Sequence, residues 1–215
     1  MAFEPPAISS ISVQLPAGMS EQCILRASSL NGWMSELELV WLAITAHIKG
    51  GDIVEVGSFL GRSTAALADN APDSTVYAVD NWTGSMQDNS AGWWALVMLD
   101  REPDWLYTKF LDNKAANVVP TRMDSFTAAE YFKTMGRRFS MIFLDDDHEE
   151  NWLKREIQAW APLLADGGVL CGHDYCTGWG VIPAVDALLP KRSIVPKTTI
   201  WFIKKEDICF TSSQA

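Results

Sequence analysis

No stretch of this sequence holds the ~20 consecutive apolar residues that a membrane-spanning helix requires, so membrane insertion is not expected. Residues 1–18 lack a basic start and a continuous apolar run. They do not read as a secretory signal, and the cytoplasm is the expected location. Cysteine is sparse, with 4 among 215 residues, which favours reduced thiols over a disulfide framework. Cys171 and Cys176 flank His173, but without a suitable fourth ligand that spacing is a weak zinc signal. Basic charge is scarce too: 17 Lys and Arg stand against 27 Asp and Glu, a net charge of −10. The basic pairs Arg137-Arg138, Lys191-Arg192 and Lys204-Lys205 are too short for a nucleic-acid face, so a small-molecule substrate fits better. Repeats and low-complexity tracts are absent. What is present, 48% hydrophobic residues over this length, suffices for one large domain with a substantial core.

Residues 1–30 are Pro- and Ser-containing and weakly periodic, and read as a mobile or draped arm ahead of a domain at 31–215. Ser35 and Glu38 form an S-x-x-E capping box. Behind it Leu37, Val40, Trp41, Ile44 and Ile48 make one apolar helical stripe, ended by Gly50 and Gly51. Strands are then expected at 53–56, 75–79, 118–122, 139–144 and 168–171. They alternate with helices at 61–69, 105–116, 125–135, one carrying Leu153, Ile157, Trp160 and Leu164, and 182–189. Such alternation implies a parallel sheet covered on both faces, a doubly wound α/β fold. The tail differs, because β-rich segments at 192–195 and 198–204 are joined by a link too short for a parallel crossover. An antiparallel hairpin should therefore close a mostly parallel, seven-stranded, Rossmann-like sheet.

Ligands of open parallel sheets sit at the carboxyl ends of the strands, and the residues there carry the chemistry. After the first strand come Glu55, Gly57, Ser58, Gly61 and Ser63, glycines for tight turning followed by a helix N-terminus suited to an anion. Their G-x-x-x-G spacing does not meet the dinucleotide fingerprint. Asp80, Asn81 and Trp82 follow the second strand. An acid there can take ribose hydroxyls, while Trp82 reads equally as an adenine cover or as a lid or core aromatic. Asp124 after the third strand can accept from an adenine amino group, and Ser125 can equally be only a helix cap. The fourth strand ends in Asp145-Asp146-Asp147-His148 and the fifth in Gly172-His173-Asp174-Tyr175. Two acids with imidazoles at one rim suit a divalent cation, whereas Asp146 reads as a solvated turn residue.

Taken together, these motifs, with the stretch 160–175, resemble class I S-adenosylmethionine (SAM)-dependent methyltransferases. The nearest branch is the one related to macrolide-sugar and catechol-type O-methyltransferases, and the likeness runs from Gly32 to Leu189. It implies SAM as cofactor, with Glu55 on its amino group, Ser63 on its carboxylate and Asp80 on its ribose. Gly57, Ser58, Gly61, Asn81, Trp82, Asp124, Ser125 and Asp145 complete the expected cofactor set. The resemblance further implies a metal (Mg2+ or another divalent cation) on Asp145, His173 and Asp174, and a general base at His148. Asp146 stands where the signature has Gly, Glu150 where it has Tyr, and His173 where it has a metal-binding acid. The expected activity is O-methylation of a small-molecule hydroxyl. The alternatives are a metal-independent methyltransferase and a non-catalytic SAM-binding module. The Trp-rich segment 81–104 is expected to form a lid or substrate segment, and a homodimer is compatible with such folds.

Overall fold

A computed structural model describes residues 15–20, 22–83, 101–102 and 104–210. A short helix α1 (Leu25–Ser29) precedes α2 (Glu36–Lys49). There follow β1 (Ile53–Val56), α3 (Arg62–Asn70), β2 (Val76–Asp80), α4 (Trp105–Asn113) and β3 (Val118–Arg122). The second half holds α5 (Ser125–Thr134), β4 (Phe139–Leu144), α6 (Glu150–Trp160), β5 (Leu164–Gly172), α7 (Val181–Leu188), β6 (Ser193–Ile194) and β7 (Trp201–Lys204). Most of the expected lid, with Trp93 and Trp94, lies outside the described residues, as does 1–14 of the arm.

The strands order as β3-β2-β1-β4-β5-β7-β6. The first five are parallel, and β7 runs antiparallel to both β5 and β6. Alternate strand residues serve opposite faces. Ile53, Val76 and Met141 pack with α2, α3 and α4, while Val54, Ile142 and Leu170 pack with α5, α6 and α7. The doubly wound fold is therefore as expected, with its strand order reversing between β1 and β4, where a ligand crevice forms.

The end of α6 differs from the sequence reading, and of the two placements open to the 1–30 segment its described part takes the draped one. Leu164 does not lie on the face of α6. That helix stops at Trp160, a 3-10 turn follows at Ala161–Leu163, and Leu164 begins β5. Pro162 within the turn lacks the N–H that a continuing helix would use. The described part of the 1–30 segment is also firmly docked. Arg62, at the start of α3, donates to the carbonyls of Ala27, Ser28, Leu30 and Met34, and Arg26 pairs with Asp69.

Candidate active site

Five loops meet at the carboxyl rim of the sheet. Glu55 lies within β1, one residue before its end, and is fully buried because β1 is covered on both faces. Its side chain takes the α3 side of the strand, where Thr64 Oγ1 donates to Oε2. Burial pushes the carboxyl up to about 7, against the pull of the nearby Ser63, Thr64 and Ser58 hydroxyls. Although the Ser58 and Ser63 hydroxyls lie close to the carboxyl, Oε1 and the Ser58 Oγ, both buried, complete no hydrogen bond of good geometry among the described residues. A buried polar atom without a partner costs about 1–3 kcal/mol, so this pair of atoms marks a place for a polar ligand. Gly57 (φ +89°) brings the chain so near β4 that a Cβ there would lie 2.1 Å from the Asp145 carbonyl oxygen. Its glycine is thus required by the neighbouring strand end rather than by a ligand. Gly61 (φ +90°) is the N-cap of α3 and leaves the helix N-terminus without a side-chain cap.

Asp80 ends β2 and accepts the backbone N–H of Phe59 at 2.8 Å and of Trp82 at 2.6 Å. Burial raises its pKa, with these N–H groups opposing the rise. Of the placements open to Trp82, the structure takes the core one. The ring is 2% exposed, packs on Tyr107 and Phe110, and donates its indole N–H to the Phe59 carbonyl. It offers no open face to an adenine. Asn81 is exposed and accepts from Thr83. At the end of β3 the cap of α5 is Asp124, which accepts the Phe126 and Thr127 N–H groups. Ser125 is instead buried, with its Oγ accepting from Trp160 Nε1. Asp146 is not the solvated residue expected. Burial and the charges of Asp80 and Asp147 push it up to about 6, and Glu156, buried on α6, lies close enough to be raised by it.

Asp145, His148, His173 and Asp174 come together between the ends of β4 and β5. His148 does not cap α6, since Glu149 holds that place. Its Nε2 lies 2.7 Å from Asp174 Oδ2, and its ring packs against Trp179 with centroids 4.8 Å apart. His173 is 8% exposed. Its Nδ1 sits 3.1 Å from Asp174 Oδ2 and 3.5 Å from Asp145 Oδ1, and its Nε2 sits 3.2 Å from Glu38 Oε1. Burial disfavours the imidazolium, but Asp145, Asp174 and Glu38 outweigh it and raise the pKa well above the usual imidazole value. Burial likewise opposes ionisation of Glu38, yet His173, Thr199 and Ser35 bring it down to about 2. Burial alone would raise Asp174, and the two histidines hold it well below the usual range.

A metal-binding histidine must be neutral, and both nitrogens of His173 already face carboxylates. The three expected residues adjoin one another, and a second set, with His148 in place of His173, converges as well. Ligand atoms of Asp145, His148 and Asp174 all lie within 4.8 Å of one another. Two carboxylates and an imidazole are a suitable set for a divalent cation. Sequence reasoning passed over Glu38, visible only as a capping residue, and over Trp179. A cavity of about 250 Å³ beside Gly18, Cys23, His47 and Asn70 lies at the opposite, amino edge of the sheet. Both His47 nitrogens are engaged there by carbonyls, so it carries no comparable chemistry.

A family described as "Methyltransferase domain" matches residues 54–175, more than half of the chain. Among curated proteins none matches. Among solved structures the chain is similar to the O-methyltransferase TomG from Streptomyces achromogenes, in complex with SAM. Identity is 16%, 84% of each chain is covered, and the TM-score is 0.54. It is also similar to an O-methyltransferase from Bacillus cereus in complex with SAH (15% identity; 85% of this chain and 86% of that one; TM-score 0.53). A third is CalS11, a TDP-rhamnose 3'-O-methyltransferase (16% identity; 78% and 77%; TM-score 0.53). At such identities these likenesses establish a shared fold, the class I methyltransferase fold.

Proposed function

The chain belongs to this methyltransferase-domain family, and from that premise we propose that it moves the methyl group of SAM to a hydroxyl of a small molecule. The observation that carries the reading is the buried, unsatisfied pair Glu55 Oε1 and Ser58 Oγ beside the uncapped start of α3. A ligand bearing an ammonium and a carboxylate answers both features. The ammonium meets Glu55, and the carboxylate meets the N–H groups of the first turn of α3 together with Ser63. Asp80 is the acid assigned to the ribose hydroxyls, sharing its acceptor sites between them and the N–H groups of the surrounding turns. Asp124, Ser125 and Asp145 lie along the same rim and are assigned to the adenine side, and the SAM and SAH held by structures of similar fold support SAM as the ligand.

The sulfonium methyl is already activated, so the protein's work is alignment and removal of the hydroxyl proton. His148 takes that proton. Asp174 holds its Nε2 at 2.7 Å, which orients the ring and stabilises the imidazolium that forms. Trp179 walls the other side of the base.

The convergence of Asp145, His148 and Asp174 favours a second reading, in which these three hold a divalent cation. Such an ion would be held by these three residues and would lower the pKa of a hydroxyl bound beside it, with His148 serving as ligand rather than base. Calorimetry with SAM, SAH and NAD tests the cofactor, and binding of NAD without SAM would end the proposal. Methyl transfer to hydroxyl acceptors that survives exhaustive chelation supports the first reading over the second.

A further inference from the structure

We propose that Glu38 is a positioning residue of the rim: it anchors His173 and Thr199, and through them fixes where Asp174 holds His148. A capping-box glutamate needs one oxygen for its task. Oε2 of Glu38 does that work, accepting the Ser35 N–H and hydroxyl at 2.8 Å each. Oε1 turns the other way. It accepts the Thr199 N–H at 2.9 Å and the Thr199 hydroxyl at 3.0 Å, and stands 3.2 Å from His173 Nε2. The residue is 5% exposed, unusual for a glutamate in a first helical turn, since a buried carboxylate is costly unless it is fully bonded.

Two routes lead from Oε1 to Asp174. One passes through His173, whose Nδ1 is 3.1 Å from Asp174 Oδ2. The other passes through Thr199, whose Oγ1 accepts the Asp174 N–H at 3.2 Å and whose carbonyl accepts the Tyr175 N–H at 2.9 Å. Asp174 gains from such support because its backbone is left-handed (φ +58°), a conformation that residues with a side chain adopt uncommonly. Held from both its main chain and its carboxylate, Asp174 presents Oδ2 to His148 in one orientation. The consequence for turnover rests on the methyl-transfer reading, but the contact network does not.

The test uses selectively 15N-labelled histidine in the full chain, whose three histidines are His47, His148 and His173. Glu38→Gln keeps a residue suited to the capping box while removing the charge beside His173. The expected result is displaced ring resonances for His173 and for His148, which Glu38 does not touch, with His47 unmoved and SAM affinity retained. Thr199→Val, which leaves the capping box intact, should displace His148 as well, and it carries the test if Glu38→Gln fails to fold. His148 resonances that stay in place in both folded variants would overturn the proposal. Displacement of His47 together with loss of SAM binding would also overturn it, by making Glu38 a general prop of the fold. Failure of the wild-type chain to bind SAM counts against the functional reading alone.

Discussion

Trp82 donates its indole N–H to the carbonyl of Phe59 across 2.8 Å, and both residues hold left-handed backbone, φ +53° and +47°. Asp80 receives the main-chain N–H of each. One carboxylate thus stabilises two strained turns from different strands. Asp80→Ala strands two N–H donors and should lower stability by about 2–4 kcal/mol, besides weakening SAM binding. Asp80→Asn should do less, because its amide oxygen can still accept. Chemical denaturation checks the order, and an alanine variant as stable as wild type would contradict it.

The Glu55 carboxyl, raised to about 7 by burial, gives SAM binding a pH dependence. Below that value the pocket holds a neutral acid, which must lose its proton to receive an ammonium. Affinity should therefore fall by about tenfold per pH unit below 7 and level off above it. The stability sign is opposite. Between the unfolded value near ~4.3 and about 7 only the folded chain keeps the proton, so this group lowers stability as pH rises through that window. Calorimetry at about pH 6 and about pH 8 reads the effect. An affinity independent of pH would dissociate Glu55 from the ammonium.

His148→Ala should leave SAM affinity nearly unchanged and lower turnover ~10²–10⁴-fold, the range for a lost general base. A variant within a few-fold of wild type would remove His148 from the proton path.

Any divalent cation held at the rim should require Asp145, His148 and Asp174 but not His173. Manganese titration of Asp145→Asn, His148→Ala, Asp174→Asn and His173→Gln separates them. Binding that survives loss of His148 and disappears with His173 returns the ligand role to the latter.

Much of this was legible beforehand for a physical reason. β1, β3 and β4 begin and end where the residue pattern placed them, because short strands in a parallel sheet pack tightly between helices and neighbouring strands. The capping box of α2 is local, so Ser35 and Glu38 announced it. The second role of Glu38 joins residues 161 positions apart, which no local pattern reports. Trp82 stayed ambiguous because its burial depends on Tyr107 and Phe110 in a later helix. The surroundings of His173 were not legible because three carboxylates, from α2, the loop after β4 and its own loop, meet at one ring.

The near-contact between Gly57 and the Asp145 carbonyl also has a mechanical meaning. It leaves no room for a side chain between the two loops, which pack main chain against main chain as one frame at the crevice. If SAM binds as proposed, main-chain atoms set the spacing of the two loops, and side chains such as Asp174 then set the orientation of His148. A displacement of about 1 Å between reacting groups can cost ~10²-fold in rate. Even a methyl group at position 57 would wedge that frame open and detune both halves at once.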